Sequence, residues 1–356
     1  MSSRTSRFVS TSLLAYALLA AAGCGDESAQ EPWGGDEVRS DKQRITTPQV
    51  AATDLTAQVE ASSQLAFDLY QQLRVEPGNL FYSPHSITLA LAMAYGGARA
   101  NTEQQMAGTL HYALPQDRLH PVFNKLDLEL QSRGEKAQGA DGEPFRLNIV
   151  NATWGQRDYS FLPAYLDLLA LNYGAGMRLL DFESQPEPSR QTINRWVEEQ
   201  TEGRIVDLLP PGTVDSMTRL VLTNAIYFNA AWADPFEEKA TKDQPFQLLD
   251  GSKVTVPMMS GVISATFAKG EDYVAAAIPY DGHELSMVVI VPEEGAFESF
   301  EQNLSAQVID GIVTRLSHAQ VTLKLPRFEF DFEAGLSETL QALGMTDAFS
   351  GGLADF

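Results

Sequence analysis

Val59, Ser62, Ala66, Leu69 and Leu73 recur at helical spacing, so DLTAQVEASSQLAFDLYQQL predicts an amphipathic helix from about Asp54. EPGN breaks it. Ser83-Pro84 then opens a second helix, with serine as N-cap and proline at the first helical position, where its missing N–H costs nothing. That helix, HSITLALAMAYGG, is apolar almost all round and is expected to be buried. Gly96-Gly97 ends it, and TEQQ from Thr102 reads as the capping box of the next.

Later in the chain the period changes. VLTNAIYFNAAW, Val221 to Trp232, is apolar on both alternating faces, which predicts a central strand covered on two sides. Asp250-Gly251 and Asp281-Gly282 each sit between apolar runs and predict hairpins. SMVVIV reads as another covered strand. In VTLKLPRFEFDFE the alternation at Val321, Leu323 and Leu325 resumes at Phe328, Phe330 and Phe332, its phase flipped across Pro326 as at a bulge or bend. No fixed-period repeat is visible. Early helices and late antiparallel hairpins indicate a mixed α+β domain of about 300 residues, from Asp54 to Phe356.

The stretch before that domain is of another kind. Residues 24–53 are polar, carry Gly and Pro, and show no hydrophobic period, so they read as a flexible acidic tether, with Trp33 a lone aromatic of no assigned role. Residues 1–23 have a basic start at Arg4 and Arg7, then an apolar run from about Leu13 to Ala22. A membrane span needs roughly 20 apolar residues, so this reads as a signal peptide, either of the lipoprotein type or an ordinary one with an unused cysteine. AAGC, before the only cysteine, resembles the bacterial lipobox. The resemblance implies that Cys24 becomes the first mature residue and carries lipid, a membrane anchor made stable by several acyl chains. Gly25 rather than Asp follows it, which favours the outer membrane of a Gram-negative cell or the extracellular space over inner-membrane retention.

Composition narrows the function. The 356 residues are 44% apolar, enough for a large core, and the formal charge is −22. Removal of residues 1–23 brings it near −24. No block of Lys and Arg gathers, which argues against nucleic acid, since phosphate binding needs clustered cations. The acidic surface is read as a solvating one that would also steer a basic partner. One cysteine excludes internal disulfides.

Catalytic signals are sparse. His85, His111, His120, His283 and His318 lie in no HExxH or comparable metal spacing. GxSxG, GxxxxGK[ST] and GxGxxG are absent. A dispersed Ser-His-Asp triad stays open at this level, and Glu198-Glu199 reads as a solvated helix face. The expectation is a non-enzyme with no metal and no cofactor.

Several long stretches, in order, resemble the serpin family from about Leu55 to Phe356. NLFYSPHSITLALAMAYGGARANTEQQMAGTL resembles its second helix and the turn into its third. TINRWVEEQTEGRIVDLLPP is similar to the helix lying across the main sheet, with its exit. LVLTNAIYFNAAWADPF resembles the third strand of that sheet, VTVPMM the strand after the hairpin, and LKLPRFEFDFEAGLSETLQALGMTDAFS the late strand-to-helix segment. The resemblance implies a metastable five-stranded sheet and a bait loop that inserts as a new strand once a serine or cysteine protease cleaves it, leaving a covalent 1:1 complex. It implies that Ser83, Ser86 and Asn224 form the shutter beneath the opening sheet, and that Trp232 lies at the breach where insertion begins. Ser83 has an equally good local reading as an N-cap, Asn224 as a satisfied structural amide, and Trp232 as a large core residue.

The chain's last stretch, LGMTDAFSGGLADF, reads as a helix running into a short loop. Serpins continue from there with another sheet strand, the hinge and the bait loop, so the expectation is a C-terminally incomplete serpin fold with its bait residue beyond Phe356. A monomeric protease inhibitor is the first functional expectation. A non-inhibitory serpin-fold binding or scaffold protein at the cell surface is the second, and a hydrolase on an unrelated α+β fold is disfavoured.

Overall fold

The computed structural model describes residues 35–356 apart from 140, 141, 143, 144, 202, 331 and 333. The expected signal peptide and Cys24 lie outside the described residues. The chain divides into two compact units. The first takes the described residues up to Gln131, Asn148–Tyr227 and Asp331–Phe356; the second takes Ser132–Leu147 and Phe228–Phe330.

The first unit holds β1 (Glu37–Val38), α1 (Ala52–Leu73), α2 (Pro84–Gly97), α3 (Ala100–Thr109), α4 (Gln116–Gln131), most of β2 (Arg146–Gln156), α5 (Pro163–Tyr173), β3 (Met177–Leu180), α6 (Pro186–Gln200) and most of β4 (Leu220–Asn229). Its sheet runs β1-β3-β2-β4. The sheet is mixed, with β2 parallel and β1 antiparallel to β3. Trp154, Leu180, Phe182, Ile193, Trp196 and Val197 pack α6 against it, while α1, α2, α4 and α5 pack on one another.

Local chemistry explains α2 as expected. Ser83 is its N-cap, Pro84 its first residue, and eight of its residues, Ile87, Leu89 and Met93 among them, are buried. The predicted face of α1 is turned by a position. Asp54, Gln58, Ala61, Leu65 and Leu69 are buried, and Val59 is 46% exposed. Partners compensate the two polar residues: the Arg118 guanidinium donates to both Asp54 oxygens at 2.5 and 2.9 Å, and Gln58 Nε2 donates to Ser62 Oγ. The capping box at Thr102 does not form. The N-cap of α3 is Arg99, and Thr102 Oγ accepts from the Asp355 N–H while Arg99 N–H donates to Asp355 C=O.

The tether also needs correction. From Asp36 onward it is docked: β1 pairs with β3, Ser40 Oγ donates to Asp167, and Arg44 binds Asn124 and Asp127 of α4. The segment lacks a hydrophobic period because polar groups hold it.

The second unit is built from β5 (Lys242–Gln247), β6 (Lys253–Lys269), β7 (Tyr273–Pro279), β8 (Ser286–Pro292), α7 (Phe297–Gln302), α8 (Ala306–Arg315) and β9 (Ser317–Pro326). Its sheet is antiparallel, β5-β6-β7-β8, with β9 against β6. Both predicted hairpins form. Leu248 to Ser252 closes β5–β6, with Gly251 at φ +81° and Asp250 Oδ1 accepting the Ser252 N–H. Tyr280 to Leu285 closes β7–β8, with Gly282 at φ +88°. α9 (Ser337–Ala342) returns to the first unit.

Two strands read as covered have other places. β4 ends the four-stranded path, bonded on one side by β2 among the described residues, instead of running through its middle. β8 ends the other path, with Val288 39% and Val291 52% exposed. An apolar run reports cover on the faces and is silent about hydrogen-bonded neighbours at the edges. The bend at Pro326 is a stop: β9 ends there, the Arg327 N–H donates to Pro257 C=O, and Phe328 is 41% exposed outside any strand.

Candidate functional site

Two of the expected site residues meet directly. Ser83 Oγ accepts from the Ser86 N–H at 3.2 Å and from the Ser86 hydroxyl at 2.8 Å, so one oxygen both caps α2 and binds the second serine. Ser86 is buried, and the neighbouring Thr88 hydroxyl returns to Pro84 C=O at 2.8 Å. The start of α2 therefore presents small side chains with movable hydroxyl protons. His85 lies between the two serines in sequence, and burial lowers its pKa, so its imidazole is held neutral at pH 7.

Asn224 sits on β4 with no exposed surface. Its Nδ2 donates to Asn151 Oδ1 on β2 at 2.5 Å, a side-chain link across neighbouring strands. Its own Oδ1 is buried and accepts no hydrogen bond from the described residues. The amide's bond thus goes to Asn151 and not to either serine. Beside it, Thr223 Oγ accepts from Trp154 Nε1–H at 2.9 Å and donates to Ala152 C=O at 3.3 Å.

That tryptophan leads to a cluster the sequence did not announce. Trp154 and Trp196 meet edge to face, with centroids 5.3 Å apart. The Arg178 guanidinium lies 4.5 Å from the Trp196 ring centre and 5.2 Å from that of Trp154. Burial pulls the Arg178 pKa down to about 10, so it remains a cation at neutral pH. The exit of α6 is tied back to the helix: Asn194 exchanges two bonds with the Leu209 backbone at 2.8 and 3.0 Å, and Arg190 donates to Leu209 C=O. A tryptophan in TINRWVEEQ, an arginine in an apolar strand and a tryptophan in NATWGQ were the available signals.

Trp232 belongs to the other unit. It stacks on Tyr280 at 4.7 Å with an interplanar angle of 10°, and Phe236 meets it edge-on. Burial pushes the Tyr280 hydroxyl up to about 12. Backbone bonds on both sides, Ala233 N–H to Pro279 C=O and Asp281 N–H to Ala231 C=O, fix the segment against the β7–β8 hairpin. Trp232 is thus an anchored core aromatic, 9% exposed. Among the described residues, no group of three His, Cys, Asp or Glu side chains could hold a metal ion, and no helix is long and apolar enough to cross a membrane.

Comparison with known proteins adds the following. The family model described as Serpin (serine protease inhibitor) matches residues 60–356. An uncharacterized serpin-like protein of Thermococcus kodakarensis is 39% identical over 291 residues, 82% of this chain and 66% of that protein. The leukocyte elastase inhibitor of Homo sapiens is 35% identical over 306 residues, 83% of this chain and 78% of that protein. Ovalbumin from emu superposes with a TM-score of 0.78 at 28% identity, over 84% of this chain and 80% of its own. A cleaved, loop-inserted ovalbumin mutant gives 0.77 at 26% identity, over 84% and 81%. The chain thus spans just under two thirds of the Thermococcus relative's length.

Proposed function

The chain belongs to the serpin family, and from that premise we propose that the protein is a suicide-substrate inhibitor of a serine or cysteine protease, exported and lipid-anchored at Cys24. The observation that carries this reading is the likeness to leukocyte elastase inhibitors across most of the chain. In this reading the protease nucleophile attacks the carbonyl carbon of a bait peptide bond, the C–N bond breaks as the amine departs carrying the nucleophile's proton, and the nucleophile remains esterified or thioesterified to the acyl carbon. The cleaved segment then joins the four-stranded sheet before water can release the enzyme. The reading assigns the bait to none of residues 1–356.

Geometry supports a role for this chain's own residues. β4 is bonded by β2 on one side among the described residues, leaving its other edge as the place where a strand would add. Asn224 at that strand carries an open acceptor, and the Ser83–Ser86 pair can exchange hydrogen-bond roles without side-chain bulk. Ser83, Ser86 and Asn224 are the proposed shutter and Trp232 the proposed breach. A second reading follows from the likeness to the two ovalbumins: a serpin-fold binding or scaffold protein that forms no covalent complex.

The test incubates the complete product of the reading frame with a panel of serine and cysteine proteases. A 1:1 complex that survives boiling in detergent is the expected result, and its absence across the panel would overturn trapping in favour of the second reading. The anchor is tested separately. Cys24→Ala should move the protein from the membrane to the soluble fraction, and unchanged partition would sink the lipid assignment.

A further inference from the structure

The docked segment before α1 has no part in the proposed trapping reaction, yet it is bound at five places along ten residues. β1 lies antiparallel on β3, Glu37 opposite Arg178 and Val38 opposite Met177. The Leu179 N–H donates to Asp36 C=O at 2.7 Å. Ser40 Oγ donates to Asp167 of α5. Ile45 N–H donates to Leu171 C=O at 2.9 Å, and Ile45 C=O accepts from Asn124 Nδ2 at 2.7 Å. Arg44 donates through Nε to Asn124 Oδ1 at 2.9 Å and through Nη2 to Asp127 Oδ2 at 2.5 Å.

Two features set this contact apart from ordinary packing. Its holding groups are polar, and Ile45 is 41% exposed, so little apolar area keeps it seated. Segments held in this way open locally at much lower free energy than the core. What it covers is the outer edge of a sheet, a row of N–H and C=O groups that pairs readily with another strand. The floor is also shaped for it: a Cβ on Gly176 would collide with the Glu37 carboxylate and with Arg39 Cγ at 2.6 Å, and one on Gly174 would lie 3.0 Å from Arg44 Cδ.

We propose that Asp36–Ile45 is a releasable edge clasp: seated, it caps β3, and released, it opens β3 to pairing with the same segment of a second copy of this chain. The occupant is argued from fit, because these residues already match the β3 edge and the glycine floor, and an exchanged copy would make the same bonds. Residues 46–51 form the connection to α1 through which exchange would occur. Arg44 is the latch, since Asp127 is 3% exposed and the guanidinium is its ion-pair partner. The clasp stands or falls independently of protease trapping.

The experiment uses the full chain. Arg44→Ala alone strands the Asp127 carboxylate, so the informative variant is Arg44→Ala with Asp127→Asn, which removes latch and charge together. Val38→Pro breaks the β1 pairing and leaves the ion pair intact. Hydrogen–deuterium exchange at Leu179 should accelerate about tenfold or more in both variants, with amides of β6–β9 unchanged. Deleting three residues of the 46–51 connection keeps every bonding residue and shortens the return to β3, so sedimentation velocity should show a concentration-dependent dimer in excess of that for the parent chain, and adding Val38→Pro, which disables the exchanged strand too, should abolish it. Leu179 exchange within about twofold of the parent, or acceleration shared equally by β6–β9, would overturn the clasp. No gain in association for the shortened chain at any concentration, or a gain that survives Val38→Pro, would overturn its pairing role.

Discussion

Lowering the pH should unfold this protein partly through one histidine. His120 on α4 is 1% exposed; its Nδ1 meets the Tyr173 hydroxyl at 2.7 Å, and its Nε2 finds no partner among the described residues. Burial holds the Tyr173 phenol protonated and pulls the His120 pKa from 6.5 down to about 4. The unfolded chain therefore takes up this proton near pH 6.5 and the folded chain only near 4. Between those values the unfolded state binds more protons, so stability falls as pH falls and levels off below the folded value. The full effect is about 3 kcal/mol, and about 2 kcal/mol of it is in place at pH 5. His85, whose pKa burial also lowers, adds in the same direction, so the wild-type slope alone is not diagnostic. His120→Asn isolates the term: it cannot ionise in this range and still offers Tyr173 a partner. Urea unfolding at pH 8, 7, 6 and 5 should show the variant less stable at pH 8, with that deficit shrinking by about 2 kcal/mol at pH 5. A deficit constant from pH 8 to 5 would refute the assignment.

Ser83→Ala removes the cap of α2 and the acceptor of the Ser86 hydroxyl, and should lower stability by about 1 kcal/mol, read as a shift in urea midpoint. Ser83→Asp keeps an acceptor and should lose less, so equal losses would count against the capping geometry. Asn224→Ala leaves Asn151 Oδ1 without its donor and should cost about 1–3 kcal/mol by the same measurement. A neutral result would mean that the Asn151–Asn224 bond contributes nothing to the fold.

Features set by neighbours in sequence were legible. Ser83-Pro84 starts α2, and Asp-Gly pairs close both hairpins, because capping and turn geometry involve residues within five positions of each other. The phase of α1 was not, because Asp54 is buried only by virtue of Arg118, sixty-four positions away. Thr102 failed as a capping residue for a similar reason: its hydroxyl is taken by Asp355. For β4 and β8 the apolar pattern was right about strand and wrong about position, since burial of side-chain faces and pairing of backbone edges are separate quantities. Of the candidate site, Ser83 and Ser86 were placed together by the family resemblance, and their meeting through Ser83 Oγ at the start of α2 was visible only in the structure. The Asn151 partner of Asn224 and the Trp154–Arg178–Trp196 cluster needed the sheet order before they could be seen.

The docked segment shows what this difference does to a domain boundary. Hydrophobic periodicity begins at about Asp54, and a chain cut there would look complete by pattern. It would lack Arg44, however, and Asp127 would remain buried on α4 with Gln131 as its side-chain donor and no cation beside it. Removing one partner of a buried pair costs about 3–5 kcal/mol, a large share of the 5–15 kcal/mol that holds an ordinary domain together. Asn124 would lose its bonds to Arg44 and Ile45 in the same cut. Periodicity detects residues that are buried because they are apolar, whereas Asp127 and Asn124 are buried because a particular distant segment satisfies them. The physical start of the first unit is therefore no later than Asp36.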